Sequence, residues 1–168
     1  IEQKGGGNYL KENSTWAKQS IAHNTIVQNE KSHFNGDFEI GNLYASKKYL
    51  YDVNDPKVQV ISATDENAYP GTIMHRTMVV LEADGYEKPL LLDIFQVNSK
   101  TVNQYDLPFY YMGQMMSASF KYITPKTLEP LGKGSGYEHL WKEGVGKADS
   151  ANTKFSWLSD GNFYTLTA

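Results

Sequence analysis

Short runs rich in β-branched and aromatic residues recur along the chain, each closed by a polar turn signal. They are Ile21–Gln28, Lys57–Ala63, His75–Ala83, Pro89–Val97, Asp106–Gly113, Ser117–Thr124, Thr153–Asp160 and Asn162–Ala168. Such runs read as strands. Asn54-Asp-Pro, Tyr69-Pro-Gly, Ala83–Pro89 and Ser159-Asp-Gly-Asn supply the turns, the last as a hairpin. Convincing amphipathic helix periodicity is missing; Lys11–Ser20 and Gly136–Gly144 suit at most a short turn. The pattern predicts an all-β fold, a multi-stranded antiparallel β-sandwich of two packed sheets. Pro89-Leu-Leu-Leu-Asp-Ile-Phe-Gln-Val97 is apolar at nearly every position, which predicts a central strand covered on both faces. Residues 1–20, with Gly5–Gly7, read as a flexible entry segment to a domain over 21–168.

A length of 168 residues suits one domain with a real core. The formal net charge of −3 and the absence of any Lys/Arg run argue against a nucleic-acid partner. An anionic ligand stays open, since a local cation cluster suffices to bind one. With no cysteine, disulfides and thiolate chemistry are excluded. No apolar run approaches the about 18 residues of a membrane span. The chain starts without Met and ends within a strand-like run, which suggests a piece of a longer protein. Aromatics at 13% are plentiful enough for both a core and a sugar-facing groove.

Several residues carry candidate chemistry. Tyr69 sits in Ala-Tyr-Pro-Gly, where Pro70 and Gly71 favour a tight turn that would hold the ring at a loop tip above the sheet. His33 precedes a turn at Asn35–Gly36. Alternation places His23 with Ile21 and Val27, so its imidazole needs a partner, either a backbone carbonyl or a metal ion. Arg76, the chain's one arginine, suits a carboxylate, either on a substrate or on Asp93 or Glu82. In Gln104–Gln114, Tyr105 and Tyr111 could stack on sugar rings, with Phe109 and Tyr111 on one face and Tyr110 on the other.

Taken in order, Gly5–Asp37 with its Ala-His-Asn-Thr and Ser-His-Phe-Asn-Gly-Asp elements, Asp65–Gly71, His75–Leu81, Pro89–Val97, Gln104–Gln114 and Gly136–Trp141 resemble the C-terminal β-sheet domain of alginate lyases in the heparinase II/III-like superfamily. The resemblance implies an N-terminal α/α toroid as partner domain in the same protein, which this chain lacks. It implies β-elimination on an acidic polysaccharide or oligosaccharide. A base takes the C5 proton of a uronate whose carboxylate has been neutralised, the 4-O-glycosidic bond breaks, and an acid protonates the leaving oxygen. Tyr69 matches the catalytic tyrosine of the β domain, and His33 an active-site histidine that accepts a proton or binds the carboxylate. The resemblance also implies a structural zinc held by His and Asp, for which His23, Asp37 and His75 are the candidate set; Asp37 also suits a turn. Export to the periplasm or beyond is implied as well. Two other functions compete: a non-catalytic carbohydrate-binding or structural sandwich, and a metal hydrolase using His23, His33, Asp37 and His75. The latter lacks a compact ligand motif such as HExxH.

Overall fold

The computed structural model describes residues 9–148 and 153–168. The fold is all-β, with several antiparallel sheets and, among the described residues, no barrel. The chain divides into two compact units. One is Val27–Tyr105; the other runs up to Ile26 and resumes with Asp106–Ala168.

In the Val27–Tyr105 unit, β1 (Val27–Gln28) precedes α1 (Phe38–Gly41), and four long strands follow: β2 (Lys47–Asp55), β3 (Val58–Asp65), β4 (Thr72–Leu81) and β5 (Leu90–Ser99). These four form one antiparallel meander in the order β2-β3-β4-β5. The β3–β4 ladder runs unbroken from Val58↔Leu81 to Asp65↔Met74, and the β4–β5 ladder from Thr72↔Ser99 to Leu81↔Leu90. Cross-strand partners share a face. Thr72, Met74 and Arg76 therefore lie on one side with Ser99, Val97 and Phe95, and His75 and Thr77 lie on the other with Thr64 and Ser62.

In this sheet β5 is an edge strand, with Leu91 60% and Ile94 51% exposed, not the central, doubly covered strand that its composition suggests. An apolar run reports a wish for burial; strand order is decided by the turns, and a meander leaves its last strand at the edge. The strand expected over Ile21–Gln28 is also different. Ser20–Ala22 forms a 3-10 turn, and within that run only Val27–Gln28 pairs as a strand. Packing still captures the apolar residues there, since Ile21, Ala22, Ile26 and Val27 are all buried. β2 was not foreseen, because its Lys, Asp and Asn residues dilute the apolar signal.

In the other unit, β6 (Tyr105–Asp106) begins at the boundary and is followed by β7 (Gln114–Ala118), β8 (Tyr122–Ile123), β9 (Val145–Gly146), β10 (Lys154–Ser159) and β11 (Asn162–Thr167). β11-β10-β7 form a three-stranded sheet, and β8 pairs with β9. The expected hairpin at Ser159–Asn162 is present. Asp160 and Gly161 both take positive φ, as a type I′ turn requires. Phe155, Trp157 and Tyr164 make one aromatic face, where the Trp157 and Tyr164 rings stack at 5.4 Å and Tyr111 packs 5.3 Å from Trp157. Segment 9–20, expected to be a flexible entry, carries a π-helical turn at Asn13–Ala17, and its Trp16 ring meets Tyr110 edge-on at 6.1 Å. Tyr110 points away from Phe109 and Tyr111, as alternation suggests, and its hydroxyl donates to the Ile21 carbonyl. Burial pushes its phenol up to about 12. Trp141 is exposed rather than packed on a sheet.

Gly113 has φ +112, and a Cβ there would sit 2.0 Å from the Leu158 carbonyl oxygen. That oxygen belongs to the β10 backbone and cannot swing aside. Gly113→Ala is expected to lower unfolding stability by roughly 2–3 kcal/mol, read as an earlier urea midpoint at unchanged slope; a midpoint within error of the wild type would refute the close approach.

Candidate active site

Tyr69 lies in the β3–β4 connection, and its sequence explains the shape of that connection. Asp65 Oδ1 accepts the backbone N–H groups of Asn67 and Ala68, each at 2.9 Å, which bends the chain as it leaves β3. The Tyr69 carbonyl then accepts from the Thr72 N–H at 3.2 Å, with Pro70 and Gly71 between them and Gly71 at φ +75. This is the type II pattern, in which only glycine takes the third position without strain. The turn is the expected one, but the ring is not perched at its tip. Tyr69 is 6% exposed, and its hydroxyl donates to the Lys31 carbonyl at 2.7 Å while accepting the Gln28 N–H at 3.2 Å.

His33 is brought to it. The two rings meet edge to face, with centroids 5.0 Å apart and planes at 89°. The backbone that follows His33 is unusual. Phe34 and Asn35 both adopt left-handed conformations, φ 53 and 55, before Gly36 at φ 79. For an L-residue this costs about 1–2 kcal/mol, most of it at Phe34, since asparagine tolerates the region. The Phe34 N–H bonds to the Ala68 carbonyl at 3.0 Å, and its ring stacks on Tyr44. The strained segment is thereby tied to the Tyr69 turn, and strain of this kind concentrates at functional positions.

The other sequence candidates are placed as follows. Arg76 is engaged by Asp93 through two hydrogen bonds, Nε to Oδ1 at 2.8 Å and Nη2 to Oδ2 at 2.5 Å, and its guanidinium carbon lies 4.9 Å above the Phe95 ring. Asp93 raises the arginine's pKa further, chiefly through this hydrogen bonding. Tyr111 belongs to the aromatic face of the other unit, against Phe155 and Trp157. Tyr105 is 36% exposed and lies beside Asn103. Sequence reasoning missed the polar chain around it: Gln28, Thr72, Ser99 and Asn103. The available signal was small hydroxyl and amide residues at the ends of two strand patterns.

The zinc set does not fit. His23 is exposed rather than buried among apolar residues, with Nε2 3.0 Å from the Ala17 carbonyl. Asp37 Oδ1 caps α1, accepting from the N–H groups of Glu39 and Ile40. His75 Nε2 lies 2.7 Å from the Ser62 hydroxyl, and its ring packs against Tyr49. Among the described residues, no group of three or more His, Asp or Glu side chains is gathered so as to hold a metal ion.

Comparison with known proteins bears on this geometry. Residues 3–166 match the family described as heparinase II/III-like, C-terminal. The chain belongs to that family. It is 40% identical over 166 residues to an alginate lyase of Stenotrophomonas maltophilia, and 39% identical over 166 residues to an exo-oligoalginate lyase of Saccharophagus degradans. Each alignment covers 98% of this heparinase II/III-like chain and 22% of the relative's length.

Removing the Tyr69 hydroxyl leaves the Lys31 carbonyl and the Gln28 N–H without that partner. Tyr69→Phe is expected to remain folded and lose roughly 1–3 kcal/mol of stability, measured by urea unfolding; no measurable change would mean that water replaces the bridge fully. Zinc or a chelator is expected to leave the melting temperature of the purified chain unchanged. A zinc-dependent rise would show that His23, Asp37 and His75 assemble after all.

Proposed function

We propose that this chain is the β-sheet part of a lyase that cleaves alginate or its oligosaccharides by β-elimination, with Tyr69 and His33 as its share of the active site. The observation that carries the reading is the match across residues 3–166, with relatives named as alginate and exo-oligoalginate lyases. The tie between His33 and Tyr69, held by a strained backbone, supports it. The chain spans 22% of those relatives' length, and the family resemblance implies that a helical toroid domain supplies an Asn/His pair that neutralises the uronate carboxylate and one further catalytic tyrosine.

In this reading His33 faces the carboxylate or the C5 proton, and Tyr69 donates the proton that the leaving oxygen needs. The phenolic proton already points at an acceptor, the Lys31 carbonyl. Moving it to a leaving oxygen requires that oxygen to compete with the carbonyl at hydrogen-bond distance. Arg76 binds substrate only as a member of its pair with Asp93, so its part is to shape that face of the sheet.

Elimination creates a conjugated double bond, which hydrolysis and simple binding do not. The full-length polypeptide is expected to generate its ultraviolet absorbance from polymannuronate or oligoalginate. Tyr69→Phe, assayed well below its melting temperature, is expected to lower kcat about a hundredfold or more. Undiminished turnover in that variant would remove Tyr69 from the mechanism. The isolated chain is expected to show little turnover.

A further inference from the structure

Two lysines of the Val27–Tyr105 unit hold the Tyr69 turn at two ends, and both do so with main-chain atoms. The Lys31 carbonyl accepts from the Tyr69 hydroxyl at 2.7 Å, and the Lys100 N–H donates to the Gly71 carbonyl at 3.2 Å. The Lys100 side chain runs past the turn, its Cδ 4.0 Å from where a Cβ on Gly71 would stand. Lys31 also lies two residues before His33, whose ring meets that of Tyr69.

The two lysine-bearing segments are joined to each other as well. The Asn29 N–H donates to the Gln104 carbonyl at 3.0 Å, and the Gln104 N–H returns a bond to Asn29 Oδ1 at 3.0 Å. Asn29 Nδ2 donates to Asn103 Oδ1 at 2.9 Å, and Asn103 Nδ2 folds the Lys100 loop on itself through Ser99 Oγ and the Thr101 carbonyl. The backbone is thus fixed at both lysines, while both residues are exposed. Among the described residues neither ammonium has an ion-pair or hydrogen-bond partner. Arg76 and Lys47, by contrast, are committed to Asp93 and Glu66.

We propose that Lys31 and Lys100 bind carboxylates of an acidic glycan beside Tyr69, on sugars other than the one that reacts. The inference rests on the lyase reading given above and adds two substrate-binding residues to it. The carboxylate of the reacting uronate is left to the Asn/His pair that the family resemblance implies. A polyuronate carries a carboxylate on every sugar, so the neighbours of the reacting one also need partners where the chain leaves water. Lysine suits that task. Its ammonium is a compact charge on a flexible stem with rotatable donors, and it follows a carboxylate whose position varies with the sugar.

Each contact is weak by itself, because water and salt screen an exposed ammonium–carboxylate pair. Its worth lies in selection, since an anionic chain gains at both lysines and a neutral one at neither. Glu30, exposed and next to Lys31 in the same turn, offsets part of that lysine's charge, so Lys100 is the stronger contact. Both anchors are main-chain, so replacing either side chain keeps the bonds to Tyr69 and Gly71. A substitution therefore reports on the ammonium and not on the turn.

Steady-state kinetics of the full-length lyase on oligoalginate test this. Lys31→Gln and Lys100→Gln should each raise KM about two- to fivefold, and the double variant roughly tenfold, with kcat nearly kept and the melting temperature unchanged. Lys100→Arg keeps the charge and should keep KM near the wild-type value. Added salt should raise the KM of the wild type more than that of the double variant. A double variant whose KM equals that of the wild type, or one that loses kcat at unchanged KM, overturns the binding role. So does a Lys100→Arg variant as impaired as Lys100→Gln. In each case the wild type still forms unsaturated product, and the lyase reading stands. A wild type that forms none overturns the lyase reading itself, and this role with it.

Discussion

One phenolic oxygen holds the candidate site together. The Tyr69 hydroxyl bridges the Lys31 carbonyl and the Gln28 N–H, clamping the chain on either side of the tight turn at Asn29 and Glu30 to the β3–β4 connection. Both turn residues have positive φ without being glycine, so the turn draws on its surroundings to stay in that conformation. Because the Tyr69 end of the bridge is buried, an unmade hydrogen bond costs more there than at the surface. The His33 ring, the left-handed Phe34 and the bond from the Phe34 N–H to the Ala68 carbonyl are all arranged around that turn.

The environments of three tyrosines show how far burial and partners, rather than residue type, set the state of a phenol. The Tyr69 proton is directed to the Lys31 carbonyl, which holds that phenol as a donor. Burial pushes the Tyr110 phenol up to about 12. Tyr105 is partly exposed, and hydrogen bonding, from Ser99 first, holds it below the usual tyrosine range.

Much of this was legible from residue order. The β3 to β5 runs, the closing hairpin and the Tyr69 turn follow from alternation, Pro-Gly and Asp-Gly chemistry, which are local. The edge position of β5 was not legible, because apolar composition gives no strand order. His23 was misplaced for a related reason. Period-two alternation was extended over Ile21–Gln28, whereas the chain there makes a 3-10 turn that buries Ile21 and Ala22 and turns His23 outward. Asp37 satisfied two templates, a metal ligand and a helix cap. The apolar run that follows it, Phe38-Glu-Ile-Gly, favours the cap that the structure contains.

The polar network explains why site residues outside motifs escape sequence reading. Thr72 and Ser99 are 27 positions apart, and only the β4–β5 register makes them neighbours. A register shift of one residue would put the two hydroxyls on opposite faces of the sheet and break their contact. The unbroken ladder from Thr72↔Ser99 to Leu81↔Leu90 is therefore more than a stabilising element. Its apolar far end, with Val79, Val80, Leu91 and Leu92, sets the alignment that places two hydroxyls at its near end. Hydrophobic pairing at one end of a hairpin thus fixes a polar contact at the other.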